Sequence, residues 1–343
     1  MARLFKSYLE SDIGCPHKNF EAVVLEGCDL WHWRRAPGEL WKRKQRIIAN
    51  RAAFPGSIIQ SDFRRGAHGN FEVVVPVFGD GGLIELWHMW HDNSDDDKPW
   101  SFAGRITEPG RRVAGPASII QSNIGTGSHG NFEVVVPVVG NGGRRELRHY
   151  WHDNSGEYGP WSITPHQIND PAHEVIGGGC IIQSNFGTGA HGNFEVAAWV
   201  RLPDGRSVLQ HYWHDNTDGG LPWQNARVIA EGVKGNGVII QSSFGSPNRN
   251  FEVVFPVDAP GGRTYVGHFW HDNSNGNLPW HLAQMITEVA SAEASASIFQ
   301  SDSGTEIGNF EVLVDECSQS LVDYFHPNDH DKHGNVPWLG ALY

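Results

Sequence analysis

The chain has 343 residues, 39% hydrophobic and 19% charged, with 41 Gly, 19 Pro and 14 Trp, an apolar share that supports a folded core and excludes wholesale disorder. With 26 basic against 39 acidic residues the net charge is −13, so the concentration of Lys and Arg that nucleic acid demands is missing. No apolar run reaches the ~20 residues that span a bilayer, and the opening MARLFKSYLESDIG has no long hydrophobic segment before Glu10 and Asp12; the expected location is cytoplasmic, or exported without a cleavable signal peptide.

In chain order, one unit recurs six times. Asn-Phe-Glu begins at Asn19, Asn70, Asn131, Asn193, Asn250 and Asn309, at intervals of 51, 61, 62, 57 and 59 residues. Gln-Ser precedes five of these triplets, from Gln60, Gln121, Gln183, Gln241 and Gln300, and Glu10-Ser11 takes that place in the first unit. The four central triplets are followed by HMWHDN from His88, HYWHDN from His149 and from His211, and HFWHDN from His268. A Pro-Trp pair closes five units, at Trp100, Trp161, Trp223, Trp280 and Trp338.

Each unit reads as four short strands, such as SIIQS, NFEVVVPV, ELRHYWHD and the stretch after Pro-Trp, divided by Gly, Asn, Asp and Pro. An aromatic-marked repeat of this length predicts an all-β fold, a six-bladed β-propeller of four-stranded antiparallel blades. It forms a single domain over 1–343, with blades at about 1–56, 57–116, 117–178, 179–237, 238–296 and 297–343. Helical solenoids need a 3.6-residue apolar period that is absent. If the strands run outward from the axis, the first and third loops of every blade share one rim, which is nearly uniform, and the other two share a rim of varied length and chemistry.

In such blades Glu72, Glu133, Glu195, Glu252 and Glu311 fall in low dielectric and need partners, for which His88, His149, His211 and His268 are the candidates. A pair repeated in every blade reads as structure, since reactive constellations are single and asymmetric. His326, His330 and His333 are the one local histidine cluster, expected in an exposed loop because Pro327 and Gly334 interrupt a helix. The run Asn93–Asp97 lacks the glycine and closing glutamate of a calcium loop and reads as a solvated turn. Cys15, Cys28, Cys180 and Cys317 have no metal-ligand spacing. No metal and no cofactor are expected.

The order of a polar-ended first strand, an aromatic-Glu-Val-Val strand, a Leu-x-His-aromatic-Trp strand and a Gly/Pro-Trp closure resembles the repeats of tectonin-like and fucose-binding β-propeller lectins. The likeness covers all six units, while the WHDN and QSN–HGN signatures and the blade count depart from it. It implies a lectin-like, multivalent carbohydrate-binding protein with sugar sites in clefts between blades. The partner would be a glycan or other small-molecule ligand, with His68, His129 and His191 and Asp92, Asp153, Asp215 and Asp272 as repeated rim ligands; the same residues also suit turn and bulge chemistry. The alternative is a cofactor-independent enzyme, a lyase, isomerase or cyclase, with one pocket at the mouth of the central channel. Its candidates are residues that break the repeat: Trp199, Arg201, Arg34 in place of a Trp, and Asp323 in place of a His. Arg249, in place of a glycine, lies on the uniform rim and fits that alternative less well. Oligomeric state has no sequence signal.

Overall fold

Strands rich in Val, Ile and aromatics, each ended by a Gly, Asp or Asn turn, pair with their sequence neighbours to give six four-stranded antiparallel sheets, the blades of a six-bladed β-propeller. The computed structural model describes residues 3–13, 18–63, 68–125, 129–156, 159–162, 164–187, 189–245, 248–259, 261–289, 296–302, 308–315, 321–328 and 337–341. Blade 1 is β1 (Arg3–Ser11), β2 (Asn19–Glu26), β3 (Asp29–Arg35) and β4 (Lys42–Ile48); blade 2 is β5 (Ser57–Ser61), β6 (Asn70–Phe78), β7 (Ile84–Asp92) and β8 (Ser101–Arg105). Blade 3 is β9 (Ser118–Gln121), β10 (Phe132–Val139), β11 (Arg145–His152) and the two-residue β12 (His166–Gln167). Blade 4 is β13 (Glu174–Gln183), β14 (Asn193–Arg201), β15 (Ser207–Asp215) and β16 (Gln224–Glu231). Blade 5 is β17 (Val238–Gln241), β18 (Phe251–Ala259), β19 (Arg263–His271) and β20 (Trp280–Val289), and blade 6 is β21 (Ala296–Gln300), β22 (Phe310–Asp315), β23 (Leu321–His326) and β24 (Leu339–Ala341).

The chain divides into two compact units, Arg3–Ile181 and Ile182–Tyr343. Within the first, β1 lies against β5 and β5 against β9; within the second, β17 lies against β21, so the first strand of a blade is the inner one. The second strand is sandwiched on both faces, and β6 is buried at every residue but its last, which is why it reads as an unbroken apolar run around a single Glu. Phe71, Val73 and Val75 on one face of β6 pack with Val23, Leu30 and Ile58, while Val74 on the other packs with Val134, Val136 and Tyr150. Outer strands face solvent: β4 carries Lys42, Arg43 and Lys44 on its exposed stretch, charges that discourage edge-to-edge pairing.

A bulge recurs where the third strand meets the fourth. The register slips at His32/Trp33, His88/Met89, Gln210/Tyr212 and His268/Phe269, so the outer strand kinks beside the same histidine in four blades. Among the described residues, no helix is long and apolar enough to cross a membrane.

Candidate functional site

Every blade buries the Glu of its Asn-Phe-Glu triplet, and five of them satisfy it with a serine and a histidine from the two neighbouring strands. Glu72 is opposite Ile59 on β5 and Trp90 on β7; the Ser61 hydroxyl donates to its Oε1 at 3.1 Å and His88 Nε2 donates to its Oε2 at 2.9 Å. Ser11–Glu21–His32, Ser122–Glu133–His149, Ser184–Glu195–His211 and Ser242–Glu252–His268 repeat this, with the serine contact at 3.0–3.1 Å and the histidine contact at 2.7–2.9 Å. Blade 6 keeps Ser301 on Glu311 at 3.1 Å, and the buried Asp323 takes the histidine's register position, opposite Leu313. The expectation that the repeated Glu and His serve one another therefore holds, with the serine of Gln-Ser as a third member.

The imidazole also joins blades. Its edge meets a Phe and the Pro-Trp indole of the next blade: His32 with Phe71 and Trp100, His88 with Phe132 and Trp161, His211 with Phe251 and Trp280, and His268 with Phe310 and Trp338, all at 5.4–5.8 Å between centroids and nearly perpendicular. Gln60 adds a second link, since its Oε1 accepts from Asp12 N at 2.9 Å and its Nε2 donates to Asp12 Oδ1 and His68 O. Gln121 does the same with Asp62, Gln241 with Asn185 and Gln300 with Ser243.

Along these links lie three cavities built to one plan. The cavity between blades 2 and 3 has a volume of about 680 Å³, with Glu72, His88, Trp90 and Phe102-Ala103-Gly104 on one wall and Phe132, His152 and Trp161 on the other. Between blades 4 and 5 the cavity holds about 480 Å³, walled by Glu195, His211, Trp213 and Asn225-Ala226-Arg227 against Phe251, His271 and Trp280. Between blades 5 and 6 it holds about 400 Å³, walled by Glu252, His268, Trp270 and Leu282-Ala283-Gln284 against Phe310, His326 and Trp338. Each tripeptide sits at the outer-strand bulge. The indole N–H groups of Trp280 and Trp338 are buried without an acceptor.

The rim residues singled out by sequence are not among the described residues that line these cavities. His68 Nδ1 and His129 Nδ1 each lie 3.3 Å from a carboxylate of the preceding blade, Asp12 and Asp62, and His191 contributes its carbonyl as acceptor for Gln183. Asp92, Asp153, Asp215 and Asp272 each accept the backbone N–H two residues on, from Ser94, Ser155, Thr217 and Ser274, at 2.8–2.9 Å. These bonds hold the carboxyls below their ordinary range. Asp92 goes down to about 2, chiefly through the Lys98 ammonium. The histidines of WHDN close the same turns, His152, His214 and His271 donating from Nε2 to the carbonyls of Gly159, Leu221 and Leu278. Burial lowers the pKa of His271.

The repeat-breaking residues do not converge. Arg34, opposite Glu21, donates from Nε to Glu21 Oε1 at 2.9 Å and from Nη1 to Asp96 Oδ2 at 2.8 Å; Lys44 Nζ lies 2.5 Å from the same Asp96 oxygen. The acidic run of blade 2 is thus tied down onto blade 1, which accounts for that turn. Trp199 Nε1 donates to Ser207 Oγ at 2.7 Å, Arg201 is exposed at the end of β14, and Arg249 has φ 56° where Gly69 and Gly192 have 58° and 57°. His326 corrects an expectation. It is a buried strand-end residue opposite Phe310, because the HPN sequence repeats the role of HDN. His330, His333, Cys15 and Cys317 lie outside the described residues; Cys28 and Cys180 are free thiols. Among the described residues, no three His, Cys, Asp or Glu side chains group to hold a metal ion.

Sequence reasoning missed the cavity walls. The available signal was strand parity: in HMWHDN, His88 and Trp90 share one face and Met89 and His91 the other, so each of the four central blades offers a Glu/His/Trp face to one neighbour and a Phe/His/Trp face to the other.

No protein-family model matches the chain, and no curated protein matches it. Solved structures share its fold. The BP39L lectin from Burkholderia pseudomallei is 16% identical with a TM-score of 0.59, covering 99% of this chain and 85% of that one. SapL1 lectin in complex with alpha methyl fucoside is 8% identical with a TM-score of 0.57, covering 94% and 91%. The GH93 alpha-L-arabinofuranosidase of Fusarium graminearum, in complex with arabinobiose, is 10% identical with a TM-score of 0.61, covering 99% and 92%.

Proposed function

We propose that this protein is a non-catalytic, multivalent carbohydrate-binding propeller whose sites are the clefts between consecutive blades. The recurrence of one wall set, Trp and His from one blade against Phe, His and Trp from the next, carries this reading. A half-buried indole such as Trp90 or Trp213 gives the C–H face of a sugar an apolar platform, and volumes of about 400 to 680 Å³ suit one or two sugar rings. The unpaired indole N–H groups of Trp280 and Trp338 are donors that a ligand hydroxyl would satisfy. His68, His129 and His191 and Asp92, Asp153, Asp215 and Asp272 act at the mouths, holding the loops and adding hydroxyl contacts for longer glycans.

Glycoside hydrolysis needs two carboxyl groups across the scissile bond. In the clefts of blades 4–5 and 5–6 the one carboxylate lining each cavity, among the described residues, is Glu195 or Glu252, already engaged by a serine and a histidine. The competing reading, an enzyme with one axial pocket using Trp199, Arg201, Arg34 or Asp323, requires a single ligand equivalent. Titration calorimetry against a panel of methyl glycosides separates the two. Several equivalents per chain are expected, with Trp90→Ala and Trp213→Ala each removing one. A single equivalent that survives both substitutions and is lost in Arg201→Ala would overturn the lectin reading.

A further inference from the structure

The three cavities share their back walls and differ in the bulge tripeptide of the outer strand: Phe102-Ala103-Gly104, Asn225-Ala226-Arg227 and Leu282-Ala283-Gln284. Alanine sits at the centre of all three, and the residues on either side vary. In blades 2 and 5 the first position is an apolar side chain about half exposed, Phe102 at 54% and Leu282 at 50%, whereas blade 4 has Asn225. The third position holds no side chain, a neutral amide and a guanidinium in turn.

Charge follows the same division. The buried carboxylate is common to the three cavities and cancels in the comparison. Arg105 lines the blade 2–3 cavity but is paired with Glu85 at 3.1 Å, and that wall also carries Glu108, which accepts the Tyr150 hydroxyl at 2.8 Å. The blade 5–6 cavity has no Lys or Arg among its described lining residues. Arg227 is exposed at the edge of the blade 4–5 cavity and has no ion pair or hydrogen bond with another described residue. His271, in the opposite wall, is disfavoured from taking a proton by its burial, so the cationic character of this cleft rests on Arg227.

We infer that the clefts are not equivalent: the one between blades 4 and 5 selects an anionic saccharide, whose carboxylate or sulfate pairs with Arg227, while the clefts of blades 2–3 and 5–6, where the guanidinium is paired with Glu85 or is lacking among the described lining residues, take neutral sugars. This rests on the carbohydrate reading above and adds the ligand class of one cleft. A planar guanidinium suits the two oxygens of a carboxylate, and it is free here to turn toward them. The bulge lets this outer edge vary without disturbing the blade, because the stitching Glu–His pair stays in the inner ladder.

The test uses the full chain and calorimetric titration with methyl β-glucuronoside, an N-acetylneuraminic acid methyl glycoside, a sulfated galactoside and uncharged methyl glycosides. An acidic probe should saturate at one equivalent per chain, weaken with added salt, and weaken about tenfold in Arg227→Gln. Gln284→Arg should create a second acidic-sugar equivalent, a gain that misfolding cannot imitate. Whether the glucuronoside or the sulfated sugar binds identifies the anionic group. Neutral sugars binding with no acidic preference, or acidic binding unmoved by both substitutions, would overturn this inference and leave the carbohydrate reading intact. No binding by any probe would overturn both.

Discussion

Replacing His268 by Leu tests whether the repeated polar set belongs to the fold. Glu252 is 1% exposed, and its two donors are His268 at 2.9 Å and Ser242 at 3.1 Å. Taking the imidazole away leaves a buried carboxylate with one hydroxyl donor, a loss of about 3–5 kcal/mol by comparison with broken buried pairs. Leucine retains part of the packing against Phe310 and Trp338, so most of the cost is electrostatic. Removing the acid as well, in His268→Leu/Glu252→Leu, eliminates the uncompensated group. Ser242 still donates to Asn250 O at 3.3 Å, so the double substitution should be less damaging than His268→Leu alone. Urea denaturation of the wild type, both single variants and the double variant gives the cycle, and a coupling of about 2 kcal/mol or more is expected. The same experiment at Glu195/His211 should give a matching value. Additivity within about 0.5 kcal/mol, or a His268→Leu cost below about 1 kcal/mol, would refute the reasoning.

Acid should weaken the protein in two stages. His271 has a folded pKa below its ordinary 6.5, so the unfolded chain takes the proton first and stability declines as pH drops below that value. Asp92, Asp153, Asp215 and Asp272 titrate below 3.8 when folded, so their contribution is complete above that pH and is lost as pH falls below it; a melting temperature constant from pH 7 to about 2 would contradict both stages. Arg249→Gly should stabilise by about 1 kcal/mol by relieving a left-handed arginine. Gly192→Ala should cost about 1–3 kcal/mol, because a Cβ there would lie 1.7 Å from Ser184 O. Thermal unfolding checks both: the melting temperature should rise in Arg249→Gly and fall in Gly192→Ala, and no shift in either would mean that the loop simply relaxes. Arg34→Ala deprives buried Glu21 of a charged donor and should lower stability by about 1.5–3 kcal/mol, while Arg201→Ala on the surface should stay within about 0.5 kcal/mol.

The blade count, the strand order and the mutual satisfaction of Glu and His were legible because each is written six times, or nearly so, at fixed offsets. The Gln60 clamp and the cavity walls were not, since both depend on which face of one blade meets which face of the next, and that is a tertiary relation. Rim residues such as Asp92 and His68 drew attention as polar and repeated, and the structure adds their local partners, the Ser94 N–H for Asp92 and the Asp12 carboxylate for His68. Arg34 stood out as a departure from pattern. Its reason, the acidic turn carrying Asp96, lies 62 residues further on and could not be paired with it by spacing alone. The tripeptides that begin at Phe102, Asn225 and Leu282 were hidden by their variability, since a residue that differs from unit to unit leaves no mark in the repeat.

A blade owns half of each cleft it borders, one wall on either side. Copying one unit and inserting it beside its parent therefore adds a whole cleft in a single genetic step, with the stitching histidine, the glutamine clamp and the indole already matched to their new neighbour. The kinked outer edge lies apart from that shared frame, so the number of clefts and the lining of each can change separately.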